Sequence, residues 1–146
     1  MVERSSRGTL GFVFAAVLTG ASPSAAGQEY PACGRQPLTE ARSLESLPAQ
    51  VKALLGRGRA GLDGIADRNG KFNVADVVDN RLPMRRFVLA GFNERCALVA
   101  VERGGRGHWF EVLAFERADG KWQAKERWSV HPAPDSLQEL HLHVHK

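Results

Sequence analysis

Four segments in the second half of the chain alternate apolar with polar residues, and this pattern constrains the fold more than any other feature. They are rich in β-branched and aromatic residues and lie at 86–92, 97–102, 109–116 and 122–130. Alternation with a period of two is typical of strands that bury one face. The connections are short and contain turn residues, notably the glycines of 104–107 and Asp119-Gly120, which favour hairpins. The sequence therefore predicts a consecutive antiparallel meander of four strands.

A single helix is predicted before the meander. Apolar residues recur there at helical spacing: Leu44, Leu47, Val51, Leu54 and Leu55. Ser43 or Ser46 can cap the first turn and Gly56 supplies the end, so we expect a helix over 46–55, with Pro48 in its first turn. The predicted fold is α+β, with one main helix packed on a four- to five-stranded antiparallel meander sheet.

Alternation also assigns the strands to places in the sheet. The third predicted strand has apolar residues on both faces, which indicates a central position. The fourth is apolar on one side only, and we expect it at an edge or half-exposed. Its Trp122 and Trp128 are predicted to share one face, where they could form a stacking surface for a sugar or a peptide.

The N-terminus has the pattern of an export signal. Two arginines precede an apolar run, and small residues follow as far as Ala26. This pattern predicts a signal peptide over 1–26 and a single α+β domain over 27–146, with an extended lead-in at 27–43. The mature protein is then expected in the periplasm or outside the cell, with no membrane span after cleavage.

The chain has two cysteines, Cys33 and Cys96. In an exported protein they are expected to form a disulfide, because the compartment is oxidising. Closing so long a loop stabilises a fold by roughly 4 kcal/mol in the chain-entropy description. No Cys-x-x-Cys motif is present, so a catalytic thiol is not expected.

The charges indicate the kind of partner. The formal net charge is +4, and basic residues mostly alternate with acidic ones along the chain. A nucleic-acid partner is not expected, because such proteins concentrate Lys and Arg on one face. We expect another protein or a component of the cell envelope instead.

Three histidines stand two residues apart at the C-terminus. In an extended fifth strand, His141, His143 and His145 would line one face. Imidazole nitrogens are ligands for zinc and copper, so this face is a candidate metal site. The alternative is a strand whose histidines only face solvent, and no other cofactor is expected.

The hairpin between the second and third strands holds the candidate binding and catalytic residues. Arg103, Arg106 and His108 could contact an anion or a partner protein. Glu102, Arg106 and His108 also supply the base, the anion clamp and the acid that general acid–base cleavage of RNA needs. Secreted ribonucleases combine such groups on an α+β sheet, and the parallel is one of fold and chemistry alone.

Residues 67–78 resemble an EF-hand or dockerin loop at their start and end. Lys71 and Val78 stand where calcium needs carboxylate ligands, so this segment departs from the pattern. The plainer prediction is an Asp-x-Asn-Gly turn, after which Asn73 caps a short helical segment.

No catalytic motif is present in the chain. We therefore expect an exported small non-catalytic binding protein of inhibitor, immunity or accessory type, acting through a sheet face or the 103–108 hairpin. One alternative is a divalent-metal-binding periplasmic protein that uses the C-terminal histidines. The other is a small secreted acid–base hydrolase of ribonuclease type.

Overall fold

The computed structural model describes Cys33 and residues 36–144, so the predicted signal peptide and most of the lead-in lie outside the described residues. The elements in chain order are β1 (Thr39–Ala41), a 3-10 turn (Leu44–Ser46), α1 (Ala49–Leu55), β2 (Gly61–Ala66), β3 (Pro83–Phe92), β4 (Cys96–Arg103), β5 (Trp109–Ala118), β6 (Lys121–Val130) and α2 (Leu137–Val144). The fold is α+β-like: a mostly antiparallel six-stranded sheet with two short helices.

The predicted meander is confirmed as β3 to β6, each antiparallel to the next. Two strands that the sequence pattern did not predict pair with the other edge of β3. Ala41 of β1 lies antiparallel to Ala90, while Ile65 of β2 lies parallel to Arg85. β2 carries glycines and little alternation, which hid it from pattern analysis.

The third strand of the meander (β5) lies inside the sheet between β4 and β6, as predicted, while the strand in the middle is β4. The order runs from β1 and β2 through β3, β4 and β5 to β6. Because β1 and β2 extend the sheet beyond β3, its middle moves to β4, where every residue from Cys96 to Glu102 is buried. The edge position predicted for β6 is confirmed.

Each face of the sheet has its own core. Val99 and Val101 of β4 pack with Phe87 and the α1 residues Val51 and Leu55, on what we call the α1 face. The second cluster lies on the α2 face and is formed by Leu89, Leu98, Ala100, Val112 and Leu140, with the two cysteines. The sheet is therefore buried between elements on both sides.

A bulge in β6 separates the two tryptophans that were predicted to share a face. Ala114 pairs with Glu126 and Phe115 with Ala124, which leaves Lys125 as an extra residue. One extra residue moves the following side chains to the opposite face. Trp122 is buried on the α1 face, whereas Trp128 is half-buried on the α2 face.

The predicted helix over 46–55 divides at Pro48. Leu47 is extended, with φ −80° and ψ 154°, and ends the 3-10 turn. A residue that precedes proline avoids the helical region, so α1 begins only at Ala49. Gly56 ends it in the left-handed conformation with φ 79°, as predicted.

The predicted fifth strand is wrong, because the C-terminal segment forms α2 instead. Ser136 Oγ accepts from the Glu139 N–H (3.2 Å), and the Glu139 carboxylate accepts from the Asp135 N–H (2.9 Å). This Ser-x-x-Glu pattern is close to a capping box, a start signal that favours a helix. Leu140 is fully buried and holds α2 on the sheet.

Cys33 and Cys96 form a disulfide with Cα atoms 5.4 Å apart, and both residues are buried. The bond ties the start of the described chain to the central strand. It is compatible with an oxidising compartment. Among the helices described, none has the length and apolar character needed to cross a membrane.

Candidate functional site at the β4–β5 end of the sheet

The β4–β5 hairpin and the loop before β3 form one end of the molecule. The Gly104 N–H donates to the Met84 carbonyl at 3.0 Å. A Cβ atom at Gly104 would lie 1.7 Å from the Asn73 carbonyl oxygen, so only glycine permits this approach. The hairpin is thus braced against the base of the loop.

Asn73 fixes that loop, which spans residues 73–82. Its buried side chain donates to the carbonyls of Asp79 (3.1 Å) and Leu82 (3.0 Å) and accepts from the Asp79 N–H at 2.8 Å. The Asn73 N–H donates to the Pro83 carbonyl at 2.9 Å, which closes the base. No helix follows Asn73, so its predicted role as a helix cap is wrong: its amide bonds across the loop instead. The predicted turn at Asp67–Gly70 is present, with the Gly70 N–H donating to the Asp67 carbonyl.

An ion pair stiffens the same base. Arg81 donates to both carboxylate oxygens of Asp79, at 3.0 and 2.8 Å. Hydrogen bonds from the side chain and the main chain of Arg81 lower the pKa of Asp79 to about 2. The carboxylate is therefore ionised at any pH at which the protein would work.

Loop 73–82 presents apolar side chains to solvent. Val74, Val77 and Val78 are 60%, 88% and 45% exposed. Neighbouring apolar residues exposed on a structured loop mark interaction surfaces more often than isolated ones do. This surface was not predicted from the sequence, because valines are ordinarily expected in the core unless the conformation of their loop is known.

The structure brings together two of the three predicted catalytic residues. His108 Nε2 lies 2.7 Å from Glu102 Oε1. Arg106 is exposed at the hairpin tip and has no hydrogen bond or ion pair among the described residues. The arginine that contacts this pair is Arg86, which donates to Glu102 Oε2 at 2.9 and 2.6 Å and so holds the carboxylate, a different role from the anion clamp predicted for Arg106. Arg86 was missed because its proximity to Glu102 depends on the register of β3 against β4.

This Glu102 cluster is a single hydrogen-bonded unit on the α2 face. The Glu102 carboxylate is buried, and one oxygen serves Arg86 while the other serves His108. The Arg86 guanidinium also lies 4.5 Å from the centroid of the Phe72 ring. The half-exposed imidazole is oriented through one nitrogen, and its second nitrogen could exchange a proton with a bound molecule.

Arg103 belongs to the opposite face, so the predicted binding residues do not form one patch. It pairs in register with Trp109, while Glu102 pairs with Phe110, and adjacent residues point to opposite sides. Arg103 Nε donates to Glu111 Oε1 at 2.6 Å. Trp109, beside it, is 42% exposed.

The C-terminal histidines do not line one face of a strand. At helical spacing, His141 and His143 are separated by about 200° around α2. His145 lies outside the described residues, and in the part of the chain that the structure describes no three His, Cys, Asp or Glu side chains group as metal ligands. Zinc or copper binding stays a prediction without the strand geometry that suggested it.

Comparison with protein families, with curated proteins and with solved structures finds no match for this chain.

Proposed function

We propose that the protein is an exported, non-catalytic binding protein of inhibitor, immunity or accessory type, and that loop 73–82 is its contact surface. The observation that carries the proposal is the combination of three exposed valines with a buried side chain that fixes their loop. The predicted export signal and the disulfide support an envelope or extracellular partner.

Preorganisation is the physical reason for choosing this loop. A flexible loop loses conformational entropy when it binds, which subtracts from the affinity. Here the Asn73 amide and the Asp79–Arg81 pair hold the base before any partner arrives. The base of the loop then needs no further ordering when the valines enter an apolar pocket of a partner protein.

The surroundings of the valines indicate the rim of such a contact. Arg81 and Arg106 are exposed on the same end of the molecule. Charged residues at a rim steer association and set specificity more than they add affinity. Arg81 is paired with Asp79, and Asp76 is exposed on the same loop, so the rim carries charges of both signs and we expect a partner protein with an apolar pocket bordered by mixed charges.

The test compares variants of the full chain as baits for extracts of the envelope fraction. The variant Val74→Ser/Val77→Ser/Val78→Ser removes the apolar tip, and the matched control Leu62→Ser changes an equally exposed apolar residue of β2. We expect a captured protein that is lost with the triple variant and kept with the control. Its affinity, measured with both proteins purified, should fall at least tenfold in the triple variant. Equal capture by wild type and triple variant would refute the role of the loop.

A second candidate function is favoured by the contact of 2.7 Å between His108 and Glu102. We propose as this alternative an acid–base hydrolase of ribonuclease type in which Glu102 orients His108 and Arg86 holds Glu102. The direct hydrogen bond makes the two residues one proton-transferring unit, whereas RNA cleavage uses an acid and a base at separate atoms of the substrate. The geometry therefore supports binding better than this reaction.

Cleavage of a labelled RNA tests the alternative. If it holds, wild type cleaves, His108→Ala and Glu102→Gln lose most of the activity, and Arg95→Ala, which removes an exposed charge at the opposite end of the sheet, keeps it. No cleavage by wild type, or equal cleavage by His108→Ala, would remove the hydrolase from consideration.

A further inference from the structure

A polar cleft lies on the α1 face of the sheet, on the opposite side from the Glu102 cluster. It has a volume of about 370 Å³, and its lining residues come only from strands: Arg103 of β4, Trp109 and Glu111 of β5, and Arg127 and Ser129 of β6. Glu111 and Ser129 are partners in register and form its floor. We call it the corner cleft.

The path of α1 explains why this corner is open. At one side of the sheet, Gln50 of α1 accepts from the Trp122 N–H at the start of β6. At the other, Arg85 at the start of β3 donates to the Leu55 carbonyl. Because β3 and β6 start at opposite ends of the sheet, α1 crosses diagonally. The diagonal leaves the end of β6 and the start of β5 uncovered.

The corner cleft has more positive than negative charge. Glu111 is buried and its carboxylate accepts from Arg103 at 2.6 Å. Arg127 has no ion pair among the described residues. Arg85, the register partner of Arg103, donates to three main-chain carbonyls and to no carboxylate in the described part of the chain. The lining of the corner cleft thus holds two guanidinium groups, those of Arg103 and Arg127, and one carboxylate.

Arg85 neighbours Arg103 but does not line the cleft, and its electrostatics show the same excess of positive charge. Burial lowers the pKa of Arg85, and repulsion by Arg103 lowers it further, against smaller opposite contributions from Glu111 and Asp63. A second negative charge near Arg103 and Arg127 would relieve that repulsion. Guanidinium groups prefer oxyanions, which accept two parallel N–H donors.

A flat apolar surface adjoins these donors. Trp109 is partly exposed, and the Arg103 guanidinium lies 5.8 Å from its ring centroid. The Ser129 hydroxyl adds a further hydrogen-bonding group to the lining. An aromatic platform bordered by polar donors suits a ligand that has both a ring face and polar substituents.

We propose that the corner cleft binds a monosaccharide that carries a carboxylate or phosphate group. The oxyanion pairs with Arg127 and with the part of Arg103 not used by Glu111, while the sugar ring lies against Trp109. A volume of about 370 Å³ is within the range of small-molecule sites. The inference goes beyond the proposed function, since it concerns a different surface.

The test uses the oxidised full-length chain and four probes: glucuronate, glucose 6-phosphate, glucose and inorganic phosphate. Titrations are followed by amide chemical shifts. We expect both anionic sugars to saturate with dissociation constants near 1 mM or below, with shifts centred on 109–111 and 127–129. Glucose and inorganic phosphate alone should bind at least tenfold more weakly. The ratio of the dissociation constants of glucuronate and glucose 6-phosphate shows whether the site prefers a carboxylate or a phosphate group.

Two variants and a control complete the test. Arg127→Ala removes an exposed guanidinium and Trp109→Ala the platform, and each should weaken binding at least tenfold. Arg95→Ala removes the same charge at the opposite end of the sheet and should change nothing. Arg103→Ala is avoided, since it would leave the Glu111 carboxylate buried and unpaired.

Three results would overturn the proposal. The first is the absence of saturable shifts with either anionic sugar up to about 20 mM, far weaker than the roughly 1 mM expected. The second is inorganic phosphate or glucose binding as tightly as the anionic sugars. The third is unchanged binding by Arg127→Ala or by Trp109→Ala. None of these variants alters loop 73–82. A negative result for sugar binding would therefore not affect the test of loop 73–82 as a protein-binding surface.

Discussion

Replacing Asn73 by alanine should release loop 73–82 while leaving the sheet folded. The substitution removes three hydrogen bonds of 2.8 to 3.1 Å, and a longer one of 3.4 Å to the Pro83 carbonyl, made by a side chain that is 4% exposed. At about 1 kcal/mol for each of the three shorter bonds, the closed loop loses about 3 kcal/mol relative to the open one. The cost stays local because the freed carbonyls of Asp79 and Leu82 can reach water once the loop opens.

Amide hydrogen exchange measures this local change. The Asp79 N–H donates to Asn73 Oδ1 and should exchange about 100-fold faster in Asn73→Ala, since 1.4 kcal/mol corresponds to a factor of ten. Amides of β4 should keep their protection, because its residues are buried on both faces. The matched control is Asn80→Ala, which changes an exposed asparagine of the same loop.

The reasoning would be refuted by an Asp79 amide that exchanges at the wild-type rate in Asn73→Ala. It would equally be refuted if Asn80→Ala accelerated that exchange as much. The same variant bears on the proposed function, because it retains the three valines but not their preorganisation. Affinity for the captured partner should therefore fall in Asn73→Ala, by less than in the triple valine variant.

Three further predictions concern stability. Gly104→Ala should lower the melting temperature, because its Cβ would lie 1.7 Å from the Asn73 carbonyl oxygen. The control Gly107→Ala should lower the melting temperature less, because its Cβ would meet only the edge of the Trp109 ring, at 3.2 Å. Equal decreases in melting temperature would contradict the close packing at Gly104. The double variant Cys33→Ala/Cys96→Ala should have a free energy of unfolding about 4 kcal/mol lower than wild type in urea, because the disulfide closes a loop between cysteines 63 residues apart. A decrease below about 1 kcal/mol would show that the bond adds little stability. Burial acts to raise the pKa of Asp67, but hydrogen bonds from the Leu44 N–H, the Ser43 hydroxyl and the Arg68 N–H outweigh it and lower that pKa. The ionised Asp67 carboxylate therefore stabilises the fold above its unfolded-state pKa, and this stabilisation is lost as pH falls through its folded-state pKa. The difference in free energy of unfolding between wild type and Asp67→Asn should shrink in acid. A difference that does not change with pH would contradict this role of Asp67.

Sequence patterns predicted the meander because local rules decide it. Alternation, short connections and Asp119-Gly120 all act between residues near one another in the chain. The helix α1 was predicted with a start three residues too early, although the effect of Pro48 on Leu47 is also local. The C-terminal helix was missed because the alternating histidines suggested a strand, while Ser136 and Glu139 carried a helix-start signal.

The candidate site was predictable only in part. Glu102 and His108 are close in sequence, on either side of a hairpin turn, so their contact could be anticipated. Arg86 could not, because its place depends on the register of β3. The prediction that Trp122 and Trp128 share a face was wrong for a similar reason. A pattern that alternates with a period of two does not reveal the bulge at Lys125, which shifts the residues after it to the other face.

By itself, the sequence determined the strands of the meander, the pairing of the only two cysteines and the helix ending at Gly56, because each follows from periodicity, count or local conformation. The tertiary structure decided which strand is central, which faces the tryptophans occupy and which residues meet across strands. It also turned a segment of glycines and charges into β2 and a braced loop. These outcomes depend on contacts between residues far apart in the chain, and no local pattern specifies them.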